Sequence, residues 1–97
     1  MIVQANDIEV VNGRRPYPLG GLKVEVEHFV VRITTPENPF RPHAHEQPEL
    51  WFVVKGEGEV TLHGAPHAVT AGDLILIEPW LEHGLHTTTR VEWICLG

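Results

Sequence analysis

The sequence has no serine, and one residue each of cysteine, methionine and tyrosine. Without serine there is no Ser–His–acid triad to look for. A lone Cys95 excludes an intramolecular disulfide. Gly56-Glu57-Gly58 lacks the lysine and hydroxyl residue of a phosphate loop. Basic side chains are scarce, 7 against 13 acidic, for a formal charge of -6. That speaks against nucleic acid, whose phosphates need a positive footprint. No basic amphipathic stretch suits an anionic membrane surface. No apolar run approaches the ~20 residues that span a bilayer. No charged segment leads into an apolar one in the manner of a signal peptide, so a cytoplasmic location is expected. No stretch of ten or more residues carries a helical period.

What is present is histidine, seven of them in 97 residues. Histidine is the commonest metal ligand and the usual near-neutral acid or base. With 42% hydrophobic and 21% charged residues, the chain reads as one globular domain, residues 1–97, with a small core.

The organising stretch is Pro42 to Gly56, PHAHEQPELWFVVKG. In an extended chain side chains alternate faces, so the odd-numbered His43, His45 and Glu49 point one way. Two imidazoles and a carboxylate on one face suit a divalent ion. His83, just after the apolar run Leu74 to Ile77, is the fourth candidate. The expectation is that these four meet around one metal inside a small β-barrel.

The rest of the chain reads as short strands. Ile8–Val11 is a candidate strand, and Arg14 to Gly21, rich in proline and glycine, is loop. Leu22 to Ile33 alternates, with a slip in phase near Phe29 after which Phe29, Val31 and Ile33 form the apolar set. The slip suggests a bulge or a change of sheet. Thr34 to Pro42, with three prolines, reads as a stiff loop. Glu49 to Lys55 is apolar on both faces, hence covered on both. Gly56–Gly58 reads as a turn. Glu59–His63 and His67–Thr70 form a hairpin, and Leu74–Ile77, His83–Thr88 and Val91–Leu96 complete the set. This is an all-β sandwich or barrel.

At this point the chain resembles the cupin superfamily, of the small single-domain, conserved-barrel type. The family's first motif, G-x5-H-x-H-x3,4-E-x6-G, is matched by His43, His45, Glu49 and Gly56, with Glu37 where the opening glycine would fall. The second, G-x5-P-x-G-x2-H-x3-N, is matched by Gly72 and His83, with Glu78, Trp80 and Thr87 replacing proline, glycine and asparagine. The resemblance implies a double-stranded β-helix, or jelly roll, that holds its metal through Glu49 and the three histidines. It also implies a homodimer formed through sheet edges and outer faces.

The donor set fits Fe, Mn, Ni, Cu, Co or Zn. Trp51 and Val53 follow Glu49 on its face and are pocket candidates, although Trp51 reads equally as core. Trp80 either alters the rim or joins the pocket. His28 is a further pocket candidate, as an acid or base or as a hydrogen-bonded core residue. His63 and His67 flank a turn, His86 has the opposite parity to His83, and Cys95 reads as a buried, inert thiol. Functionally the expectation is a metal-dependent enzyme, an oxidoreductase or dioxygenase or related catalyst, on a small oxygenated molecule. The alternatives are a non-catalytic module that binds or senses a small ligand, and a purely structural barrel.

Overall fold

A computed structural model describes residues 1–97. Eight strands carry the chain: β1 (Ile2–Val3), β2 (Phe29–Thr34), β3 (Phe40–His43), β4 (Glu49–Leu62), β5 (Ala65–Thr70), β6 (Leu74–Ile77), β7 (His83–His86) and β8 (Val91–Leu96). A 3-10 turn at Ala5–Asp7 is the one helical element. No helix is long and apolar enough to cross a membrane.

All pairings are antiparallel, and β4 belongs to two sheets. Its first half pairs with β6 and β8, and β1 and β2 extend that sheet on either side. Its second half pairs with β5 and β7, and β3 adds to β7. The all-β jelly-roll architecture expected from the sequence is the one observed.

The turn expected at Gly56–Gly58 does not form; β4 runs straight through it. Gly56 has a φ of +88°, and a Cβ there would sit 2.2 Å from the Arg90 carbonyl oxygen. These glycines let the strand bend against its neighbour instead of reversing it. Just before them the register with β8 shifts between Val53 and Lys55. Val54 is the extra residue, so the buried side of β4 changes from Trp51 and Val53 to Val60.

Between the sheets Trp51, Val53, Val60, Val69, Ile75, Ile77, Leu85, Val91, Trp93 and Cys95 pack as one core. A second cluster lies on the outer face of the five-stranded sheet. There Leu74 and Leu76 meet Val3, Ile8, Tyr17 and Leu22 from the N-terminal segment. That cover explains why all four residues of β6 are buried. Asp73, at the turn before β6, ties the segment down: its carboxylate accepts from the Ala5 and Thr70 amides, both at 2.9 Å.

Three local expectations are corrected. Ile8–Val11 forms no strand; Val11 makes only an isolated bridge to Arg14. Leu22–Glu27 also lies outside any strand, despite its alternation, because no neighbouring strand pairs with it. The proline-rich loop ends earlier than expected, since Phe40–His43 pairs with β7. In β2 the apolar set faces outward: Phe29, Val31 and Ile33 are exposed. Pairing of Val30 with Cys95 and Arg32 with Trp93 turns the even-numbered residues inward.

Candidate metal centre

Four elements converge at one end of the barrel. β3 ends on His43, the following loop carries His45, β4 begins on Glu49 and β7 begins on His83. His43 and His83 are direct partners across the β3–β7 pair. Ring centroids lie 4.5 Å apart for His43–His83, 4.7 Å for His45–His83 and 5.3 Å for His43–His45. The three rings present one nitrogen each within 4.8 Å of one another, a group that could hold a metal ion. All four residues singled out in the sequence are therefore brought together.

The tautomers follow from the backbone. His83 Nδ1 lies 2.6 Å from the Leu81 carbonyl oxygen, and His43 Nδ1 lies 3.2 Å from that of Arg41. A carbonyl only accepts, so both Nδ1 atoms are donors and both Nε2 lone pairs are free. His83 is fully buried. Burial pushes its pKa below the ordinary histidine value, with His43 and His45 acting the same way, against the opposing pull of the Leu81 hydrogen bond and Glu49. The neutral form is the one that ligates a metal.

Three buried ring nitrogens have no partner in the chain. His45 Nδ1, His45 Nε2 and His83 Nε2 are buried and make no hydrogen bond. Glu49 Oε1 stands 3.4 Å from His45 Nε2 and 3.9 Å from His83 Nε2, the first too poorly aligned to be a hydrogen bond and the second too distant. Two ligands of one tetrahedral first-row ion lie roughly 3.3–3.6 Å apart. The donor set therefore fits a divalent metal both in kind and in its unmet polar atoms. Glu49 is itself oriented by the Trp51 indole, whose N–H donates to Oε1 at 3.1 Å.

Behind the histidines stands an aromatic wall. Phe40 packs edge-on to Trp51 and Trp93, 5.1 and 5.3 Å away, and Trp51 lies edge-on to His83 at 5.1 Å. Trp51 thus acts as both wall and carboxylate anchor, whereas Val53 belongs to the core beyond it. The solvent side is open: His43 is exposed and His45 half-buried.

Trp80 contributes backbone. Its indole is 63% exposed, while its N–H donates to the His45 carbonyl oxygen at 2.8 Å. Its φ is +64°, the left-handed conformation that glycine adopts without cost. Thr87, where the family pattern has asparagine, donates through Oγ1 to the Glu57 carbonyl at 2.8 Å. His86 points outward, 3.2 Å from Glu59, and His63 and His67 are exposed around the β4–β5 turn.

Two residues join the site that the four-residue pattern did not include as ligands. His28 Nε2 lies 3.5 Å from Glu49 Oε2 and 3.6 Å from Cys95 Sγ. Burial, with the charge and hydrogen bonding of Glu49, pushes the Cys95 thiol up to about 11, although Arg32 pulls the other way. Parity offered a signal for Cys95 alone, which is inward with Trp93 and Val91 on β8.

The comparisons with known proteins agree with this fold. Residues 29–97 match the cupin domain family. The chain belongs to that family. Over 49 residues it is 41% identical to dimethylsulfoniopropionate lyase DddW of Ruegeria pomeroyi, an alignment covering 50% of this cupin and 32% of the lyase. The cupin thus spans about a third of that curated relative's length. Among solved structures, a predicted oxalate decarboxylase from Thermotoga maritima superposes with a TM-score of 0.67 at 22% identity, covering 73% of this chain and 64% of the other. A cupin 2 conserved barrel domain protein from Salinispora arenicola gives 0.66 at 18% identity, covering 97% and 82%. At these identities the likeness is one of fold.

Proposed function

We propose that this cupin is a metal-dependent enzyme acting on a small oxygenated organic molecule. One divalent transition ion would be held by His43, His45, His83 and Glu49. The observation that carries the reading is the set of buried, unpartnered nitrogens on His45 and His83 beside a carboxylate. Isolated buried polar atoms cost free energy, and a bound ion would satisfy His83 Nε2 and one of the two His45 nitrogens. When bound, such an ion supplies Lewis acidity toward a substrate oxygen. The chain's own residues do the rest. The Leu81 and Arg41 carbonyls hold His83 and His43 in the ligating tautomer. Trp51 fixes Glu49, and Phe40, Trp51 and Trp93 keep water from the inner side. Arg32 on β2 is exposed, its guanidinium lying 5.0 Å from the Phe40 ring centre and 5.9 Å from that of Trp93. It gives an acid substrate a counter-charge.

The dimethylsulfoniopropionate lyase relative makes cleavage of a small carboxylate-bearing molecule the first reaction to assay. Dioxygen-dependent oxidation of a chelating acid is the second reaction, since the donor set leaves room for further oxygen ligands. Metal-exchanged protein is to be assayed for lyase cleavage of dimethylsulfoniopropionate and related acids, and for oxygen consumption with keto acids and enols. The expected result is turnover that disappears on chelation and in His45→Ala. Tight binding of a small acid without turnover would favour a binding module instead.

We also propose a homodimer. β2 pairs only with β8, so its other edge has no strand partner. Its exposed residues Phe29, Val31 and Ile33 form an apolar row, the kind of edge that pairs with a second chain. Sedimentation analysis should give twice the monomer mass, and Val31→Lys should halve it.

A further inference from the structure

Beside the three histidines lies a second set of donors that shares no atom with them. His28 Nε2 is 3.5 Å from Glu49 Oε2 and 3.6 Å from Cys95 Sγ. All three atoms lie within 4.8 Å of one another. They come from distant parts of the chain. Cys95 sits on β8, Glu49 opens β4, and His28 is fixed ahead of β2 by hydrogen bonds in both directions with Gly97.

We propose that His28, Glu49 and Cys95 form a second metal site, for a thiophilic first-row divalent ion such as zinc or cobalt. Glu49 would be shared, Oε1 facing the histidine cluster and Oε2 facing this one. The 3.6 Å His28–Cys95 contact is within reach of a hydrogen bond to sulfur, but the His28–Glu49 spacing favours an ion. A good N–H···O bond is about 2.9 Å long, and 3.5 Å is well outside that. Ligands at 2.0–2.3 Å from one tetrahedral ion stand roughly 3.3–3.6 Å apart, and both measured separations fall there. The thiolate and the shared carboxylate offset part of the charge of a divalent ion, and the thiol proton leaves to solvent on ligation. Burial and Glu49 hold the thiol up to about 11 against the opposing Arg32 charge, so the ion has to displace that proton to bind. The His28 side chain is 43% exposed, so an ion can enter from outside and a fourth ligand can come from solvent. A sulfur donor sets this site apart in metal preference from the nitrogen and oxygen donors next to it.

The test is a titration of the full, untagged, metal-stripped chain with cobalt(II) alone. Binding at Cys95 gives a thiolate-to-cobalt charge-transfer band in the near ultraviolet, whereas binding at the histidines gives only visible bands. The parent protein should show both kinds. Cys95→Ser should lose the charge-transfer band and keep visible bands. His28→Ala, a change at a partly exposed residue, should weaken the charge-transfer component at least tenfold, with unchanged thermal unfolding as the folding control. His45→Ala should retain that band. Its loss in His45→Ala would put Cys95 on the histidine-bound ion and overturn a separate site. Visible bands with no charge-transfer band in the parent would overturn this proposal and leave the histidine reading standing. A charge-transfer band with no visible bands left in Cys95→Ser would support it and sink the histidine reading.

Discussion

The two ends of the barrel interior treat buried polar atoms in opposite ways. In the body of the fold each buried polar side chain is answered. Asp73 accepts two backbone amides, the Trp93 indole donates to Thr34 Oγ1 at 3.0 Å, and Thr87 donates to the Glu57 carbonyl. At the mouth, His45 and His83 keep three buried nitrogens with no partner. The same chain that satisfies its carboxylates and indoles elsewhere leaves imidazoles unmet here. Such a cluster calls for a ligand from outside the chain, and one nitrogen from each of three histidines beside a carboxylate suits a cation.

The contrast can be broken most forcefully from the metal side. His45→Ala should reduce affinity for a divalent ion by more than about a thousandfold, since even groups behind a ligand are worth roughly 10–100-fold. Isothermal titration checks this. In the metal-free state the same change should cost little stability, because His45 has no hydrogen bond to lose. Asp73→Ala should do the reverse. It strands one buried and one partly buried amide, at about 1–3 kcal/mol in denaturant unfolding, and leaves metal affinity near that of the parent.

Acidification sharpens the contrast at His83. Its pKa in the fold lies below the ordinary histidine value of 6.5. In the window from 6.5 down to the folded value, the unfolded chain binds a proton that the folded chain does not, so stability falls as pH falls. Metal-free protein should therefore unfold more easily below about pH 6.5, with its full stability above it. His83→Gln should remove this component of the slope in urea titrations at several pH values.

The smallest effect concerns the turn that supports His45. Trp80 holds a left-handed backbone that costs a residue with a Cβ roughly 1–2 kcal/mol. With its indole 63% exposed, Trp80→Gly should raise stability by about 1 kcal/mol. Thermal unfolding checks it. Loss of stability would mean that the indole covers more apolar surface than its exposure indicates.

Much of the site was legible because strand periodicity is local. His43, His45 and Glu49 share parity, and a short window suffices to see it. His83 was found through its place after the buried run Leu74–Ile77. Cys95 and His28 were harder, since their meeting depends on the β2–β8 register and on Gly97 binding the backbone of His28. Nothing near either residue encodes that. Gly56–Gly58 misled for a related reason. Two glycines in three residues are the usual mark of a turn, yet here they answer to the Arg90 and His86 carbonyls, about thirty residues away, which leave no room for a side chain. In β2 the outward Phe29, Val31 and Ile33 imitate a core face; only pairing with Trp93 and Cys95 shows which side is inside.

The most direct test is elemental analysis of untagged protein, as purified and after reconstitution with several divalent ions, beside His45→Ala and Glu49→Ala. The expected result is at least one transition-metal ion per chain in the parent, with the histidine-bound equivalent absent from both variants. A parent chain that takes up no ion under any of these conditions would contradict the account, and the unmet nitrogens of His45 and His83 would then need another partner.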